Sequence, residues 1–186
     1  MPPKSKLTKQ DIINIAVDLV RKQGEQGLNA RNLASVLGCS TQPIFSNFTS
    51  MEELYFCVIQ RAEEINKAYI DEEIARGQYP SYKASGMAYI RFAKEEKELF
   101  QLLYMCERSG KELPIHTTGF QQMVDLVHQN TGLNTSDAQL FHLEVWAYVY
   151  GIATMFATGF LDLDWELVSH MLTDAYQGLR KQHSME

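Results

Sequence analysis

Apolar residues recur along this chain at helical spacing, and no segment alternates apolar with polar as a half-buried strand would. Ile12, Ile15, Ala16, Leu19 and Val20 make the first stripe. Thr8 precedes it as an N-cap with Asp11 three residues on, and Leu7 and Ile12 hold the two places of a hydrophobic staple. Gly24 is the expected stop and Gly27 the turn beyond it. Asn29 caps a short second helix, Leu28 with Leu33 repeats the staple, and Leu33, Ala34 and Leu37 share one face. Gly38 ends that helix in the left-handed conformation, which glycine adopts at little cost. Ser40 is expected to cap a third helix over about 41–47. Pro43 falls in its first turn, where its missing N–H had no helical partner to lose. Ile44 and Phe48 face back toward a small core.

A second capping box, Ser50-x-x-Glu53, opens a long fourth helix striped by Leu54, Val58, Ala62, Ile65 and Tyr69. It reaches about residue 74, and Gly77 and Pro80 close the segment. Further helices are expected at about 81–93, 96–107, 115–131, 136–160 and 164–181. The fold class is therefore all-α with about nine helices, three short ones leading a longer helical body.

Composition narrows the classes. At 186 residues with 45% hydrophobic side chains, the chain can bury a core and does not fit a disordered protein. The net charge of -6 argues against nucleic acid until it is divided: residues 1–50 carry +3 and the rest -9. A basic head on an acidic body fits a local phosphate-binding face. Cys39, Cys57 and Cys106 are odd in number and form no CxxC pair, so no zinc or redox motif is expected and a reducing cytoplasm is. The start of the chain lacks an apolar signal region. The longest uncharged run, Val145 to Leu161, holds two glycines, two threonines and two tyrosines and reads as a buried helix, not a membrane span. The histidines at 116, 128, 142, 170 and 183 never fall at a metal-ligand spacing, and no nucleophile elbow is present. No metal, cofactor or catalytic residue is expected, and the protein does not read as an enzyme.

Two short helices joined by a tight glycine turn have the geometry of a helix-turn-helix, whose second helix lies in the DNA major groove. The exposed start of that helix needs small or hydrogen-bonding side chains, and this one offers Ser40, Thr41, Gln42, Ser46 and Asn47. Gln and Asn can pair with an adenine edge, and Thr can touch a thymine methyl. Arg31, Lys6 and Lys9 suit phosphate, and helix N-termini add positive dipole ends. A plain helical hairpin with a polar surface would carry the same pattern.

Residues 8–54 carry more than the pattern. The run Thr8-Lys9-Gln10-Asp11-Ile12-Ile13, then Leu33-Ala34-Ser35-Val36-Leu37-Gly38-Cys39-Ser40, Pro43-Ile44-Phe45-Ser46-Asn47-Phe48 and Glu52-Glu53-Leu54 resembles the N-terminal domain of the TetR family. The resemblance implies a DNA-binding head at 1–50 and a ligand-binding, dimerising body at 51–186. It places Thr41, Gln42 and Pro43 at base-facing positions. It matches Phe45 and Asn47 to a tyrosine and a histidine that contact the DNA backbone, and Arg31 to a phosphate contact. Phe45 lacks the tyrosine hydroxyl, and Met51 stands where many members have lysine. Each lost phosphate contact lowers the salt slope of binding by about one. Residues 92–100 and 146–151 resemble stretches of one C-terminal subgroup.

The helix at 136–160 is apolar almost all round from Val145 to Phe160, so it must be covered on every side. A second copy is the economical cover, with the small residues Gly151, Ala153, Ala157 and Gly159 allowing close approach. The expected homodimer face is Val149, Ala153, Phe156, Ala157, Val168, Met171, Leu172 and Ala175, forming a four-helix interface about a two-fold axis. Leu103 and Tyr104, with Tyr89, Phe92, Met123, Trp146 and Tyr150, are candidates to line a cavity for a hydrophobic or aromatic effector. The expected function is a regulator of a palindromic operator, with two recognition helices about 34–36 Å apart, acting as a repressor released by such an inducer. The rival reading is a helical interaction protein that has lost DNA binding.

Overall fold

All regular structure among the described residues, 7–105 and 118–183, is helical in the computed structural model. The described residues form nine α-helices: α1 (Lys9–Gln23), α2 (Ala30–Leu37), α3 (Gln42–Asn47), α4 (Met51–Arg76), α5 (Ser81–Glu95), α6 (Lys97–Tyr104), α7 (Thr118–Thr131), α8 (Thr135–Thr158) and α9 (Trp165–Gln182). A 3-10 turn, Glu25–Gly27, separates α1 from α2. Lys6, Cys106 and His116 lie outside the described residues. The chain divides into two compact units, Met1–Lys67 with Glu96–Cys106, and Ala68–Glu95 with Glu107–Glu186.

In the first unit the expected caps form. The Thr8 hydroxyl accepts from the Asp11 N–H at 3.1 Å, and the Asp11 carboxylate accepts from the Thr8 N–H at 3.0 Å. Those bonds hold the Asp11 carboxyl below the usual carboxylate range. The Asn29 side chain accepts from the Asn32 N–H at 2.9 Å. Gly38 stands at φ 63°, and its N–H closes α2 on Ala34 and Ser35. Ile12, Ala16, Val20, Leu33, Ile44, Leu54, Val58 and Ala62 are fully buried, and so are Leu99 and Phe100 of α6. Arg21 grips Glu96 with both ends of its guanidinium, Nε at 2.8 Å and Nη2 at 2.7 Å, which ties α1 to the start of α6.

Two expected caps are corrected. Ser40 does not cap α3: the cap position is Thr41, already in helical conformation and without a side-chain cap bond. The Ser50 box closes only halfway. Ser50 Oγ accepts from the Glu53 N–H at 3.1 Å, but the Glu53 carboxylate returns to the N–H and hydroxyl of Thr49, at 2.7 and 2.8 Å. The bonding capacity of Glu53 is thus used one residue earlier. Helix α6 also ends at Tyr104, three residues before the expected end.

In the second unit α5, α7 and α9 pack on α8 or on one another. Gly86 marks the closest approach: a Cβ there would meet Leu172 Cδ2 at 3.2 Å and Val149 Cγ2 at 3.5 Å. Phe120, Val124, Val127, Ala138 and Phe141 form a core cluster between α7 and α8. Asn134 and Asp164 cap α8 and α9, and Gly159 ends α8 in the left-handed region. Helix α8 is long and apolar enough to cross a membrane by length and composition, and it has Phe141, Ile152, Ala153 and Phe156 buried against its neighbours.

Gly38 isolates a backbone effect, because a Cβ there meets nothing within 4 Å and only its positive φ resists substitution. Gly38→Ala is expected to lower unfolding stability by about 1 kcal/mol and Gly38→Asn by less, because Asn tolerates this region. Urea denaturation of the two variants checks this, and equal losses would refute it.

Candidate functional site

The head presents a polar face because its apolar residues are spent inward. On α3, Ile44 and the following Phe48 are buried, while Gln42, Phe45 and Ser46 are exposed together with Ser40 and Thr41 ahead of them. Pro43 and Asn47 are half-buried. Two of the expected base-reading groups are committed to the helix itself. Ser46 Oγ donates to the Gln42 carbonyl at 2.9 Å, and Asn47 Nδ2 donates to the Pro43 carbonyl at 2.8 Å. Thr41 and Gln42 have no side-chain bond to another described residue, so they are the groups ready to meet a base edge. Phe45 is 49% exposed and Val36 on α2 57%, which puts apolar surface beside that polar edge.

The cations of the head divide in the same way. Arg31 is exposed at the start of α2 and makes no ion pair among the described residues. Lys9, expected to meet phosphate, is instead paired with Glu53 at 2.6 Å and lies 4.8 Å from the centre of the Phe48 ring. The pairing, with the Thr49 bonds, holds the Glu53 carboxyl at about 2. Lys9 therefore pins α1 to α4. Lys6 falls outside the described residues.

The candidate effector residues fall into two groups. Leu103 and Tyr104 belong to the first unit, where Tyr104 Oη accepts from Asn66 Nδ2 at 2.8 Å. Tyr89, Phe92, Met123, Trp146 and Tyr150 belong to the second. Phe92 is fully buried and meets Tyr69 edge-on at 5.5 Å, so it is core. Trp146 and Tyr150 are half-buried, 6.1 Å apart along α8, and Trp146 meets Phe120 of α7 edge-on at 6.4 Å. Phe120 in turn lies 4.7 Å from the His142 ring, and His142 Nδ1 is 2.9 Å from the Tyr82 hydroxyl on α5. Ser85 donates to Met123 Sδ at 3.7 Å across the same helices. An aromatic seam thus runs along one face of α8, flanked by α5 and α7.

The expected dimer residues are mostly inside. Val149, Ala153, Phe156, Ala157, Val168 and Leu172 are buried in the core of the single chain, and only Met171 and Ala175 keep partial exposure. The apolar side chains that α8 and α9 leave open are Leu140, Leu143, Tyr148 and Leu167. A helix apolar all round gives no sign in sequence of which side its own chain covers.

The family described as tetracyclin repressor-like, C-terminal domain, matches residues 82–175, half of the chain. The chain belongs to the TetR family. As a TetR-family protein it is a transcriptional regulator. Solved structures share its fold. A TetR-like transcriptional regulator from Rhodococcus sp. RHA1 has a TM-score of 0.69 at 16% identity, over 92% of this chain and 94% of that one. A protein of unknown function from the same organism reaches 0.71 at 21% identity, over 97% of both chains. The multidrug binding protein EbrR complexed with imidazole gives 0.62 at 17%, over 90% of this chain and 93% of that one. No curated protein matches the chain at a significant level.

Sequence reasoning about this TetR-family chain missed Tyr82, Ser85, Phe120 and His142. The available signal was His142, Trp146 and Tyr150 at four-residue steps, which puts one polar ring in line with two aromatic ones. Histidines were weighed only as metal ligands. Burial pushes the His142 imidazole down to about 4, below its ordinary value near 6.5. The fold thus favours the neutral ring, and its stabilising effect is complete above about pH 6.5 and is lost as pH falls from there through 4. The shift corresponds to roughly 3 kcal/mol at the acid limit. Urea unfolding of the wild type and His142→Phe from pH 7 to pH 4 checks this: the wild type should lose more stability than the variant, and parallel curves would refute it.

Proposed function

We propose that this regulator is a sequence-specific repressor. Residues 1–50 bind a palindromic operator, residues 51–186 dimerise and take a small inducer, and the protein works in the cytoplasm. The observation that carries the DNA reading is the free, exposed pair Thr41 and Gln42 on a helix whose opposite side is buried through Ile44 and Phe48. Arg31 supplies a phosphate contact, and the remaining phosphate bonds fall to backbone N–H groups at helix starts. Phe45 cannot donate to phosphate and adds apolar contact only.

Dimerisation is assigned to the open faces of α8 and α9, through Leu143, Ala147 and Leu167, with Met171 at their margin. Exposed apolar groups on two neighbouring helices suit an isologous four-helix contact. The inducer arm rests on the aromatic seam of the second unit. A fold neighbour titled as a multidrug binding protein fits a small-molecule effector.

Mobility shift with DNA from the upstream region of its own gene, at two salt concentrations, tests the DNA arm. A discrete, salt-weakened complex is expected. Gln42→Ala should cost about 1–3 kcal/mol of operator affinity while leaving nonspecific binding intact. Arg31→Gln should flatten the salt slope by about one per head. If neither variant changes operator binding, the chain is a helical interaction protein without DNA function. Sedimentation tests the dimer: Leu143→Glu should yield monomer, and an unchanged dimer would move the interface elsewhere.

A further inference from the structure

Two phenylalanines stand three residues apart at α3, and the fold uses only one of them. Phe48, just past the helix, is 2% exposed and lies under Lys9. Phe45 is 49% exposed, and its ring makes no aromatic or cation contact with another described residue. A phenyl ring left half in water contributes little to the folded chain, because the hydrophobic gain scales with the apolar area removed from water.

The place of Phe45 on the helix sets its company. Its N–H donates to the Thr41 carbonyl at 3.3 Å, so it stands one turn after Thr41 on the same face, and three residues after Gln42. Thr41 and Gln42 are the polar groups of α3 and its cap that keep their side chains free, while Ser46 and Asn47 bond carbonyls of α3. Arg31, the free cation suited to phosphate, belongs to α2.

A phenyl ring can meet little in a major groove. It has no donor for a phosphate oxygen, and its negative face repels an anion. On the base edges every group is a donor or an acceptor except one, the C5-methyl of thymine. Side chains three apart on a helix stand about 5–6 Å from each other, and successive base pairs about 3.4 Å. Phe45 is therefore placed one or two base pairs from the pair that Gln42 reads. Gln pairs best with adenine, whose partner thymine shows its methyl in the same groove. A tyrosine here would have to leave its hydroxyl unpaired against that methyl or turn it to a phosphate, and phenylalanine carries neither demand.

We propose that Phe45 reads pyrimidine C5-methyl groups: each half-site carries a thymine beside the adenine bonded by Gln42, and the methyl itself sets part of the affinity. This rests on the DNA reading proposed above and adds a specificity element to it.

Replacing thymine by deoxyuridine removes the methyl and leaves the base-pairing edge intact. DNA from the upstream region of its own gene, amplified with dUTP in place of dTTP, is compared with the thymine fragment by mobility shift of the full chain. The uracil fragment should bind about fourfold more weakly per head, the size of one buried methyl, and so about fifteenfold for a dimer. Phe45→Ala should weaken the thymine complex, bring the thymine-to-uracil ratio close to one and leave binding to nonspecific DNA unchanged. Phe45→Leu, still apolar, should keep most of the ratio. If Phe45→Ala does not fold, the wild type decides: 5-iododeoxyuridine puts a photoreactive iodine where the methyl stood, and light should join it to Phe45. A sequence-specific complex indifferent to uracil, a ratio that survives Phe45→Ala, or a crosslink confined to other residues would each overturn the methyl reading and leave the operator reading standing. No complex with the thymine fragment would overturn the DNA reading itself and this inference with it.

Discussion

A helix of six residues cannot hold itself together in water, because nucleating a helix costs more than one and a half turns return. Helix α3 is such a helix, and the face it shows exists only while its back is buried. Ile44 and Phe48 supply that burial, at about 1.5–3 kcal/mol each. The side chains of Ser46 and Asn47 bond carbonyls within α3, so two of its three polar side chains are turned back on the helix itself. What remains for recognition is its first turn. The rest of the first unit follows from this demand. Helices α1, α2, α4 and α6 contribute the other buried groups, and the Lys9–Glu53 pair fixes α1 against α4.

The second unit answers a different constraint. Helix α8 is too apolar to leave any long stretch in water, so α5, α7 and α9 cover as much of it as they reach. Gly86 lets α5 come close enough to meet Val149 and Leu172. The two units are joined covalently within α4, at Glu95–Glu96 and at Cys106–Glu107. The residues beside that second junction are each anchored in their own unit, Lys94 by Asp162 at 2.5 Å and Glu96 by Arg21.

Much of this was legible from residue spacing. Thr8 and Asp11, Asn29, and Gly24 and Gly38 mark the ends of α1 and α2 because capping depends on near neighbours in sequence. Ile44 and Phe48 were readable as core for the same reason: a four-residue step is a local fact. Other features depend on distant partners. Glu53 can reach Ser50, Thr49 or Lys9, and the third of these is 44 residues away. The inward and outward faces of α8 could not be told apart, since Val149 and Leu143 are equally apolar and only the arrival of α5 and α9 decides between them. The setting of His142 is not legible in sequence, because its partners, Tyr82 and Phe120, lie on two other helices.

The charge of the head also changes meaning once the pairs are known. The sequence excess of +3 in residues 1–50 suggests a general attraction to phosphate. Lys9 is neutralised by Glu53, and Arg21 is shared between Asp18 and Glu96. Arg31 and Lys22 are the described cations of the head without an ion pair. The described part of the head therefore offers fewer free charges for counterion release, the source of indiscriminate binding to DNA, than its sequence suggests. On the reading proposed above, selectivity for one site over bulk DNA would rest on the short-range fit of Thr41, Gln42 and Phe45 to a groove. In the proposed dimer, two heads held at a fixed spacing would contribute more than long-range attraction, because the second contact becomes intramolecular once the first is made.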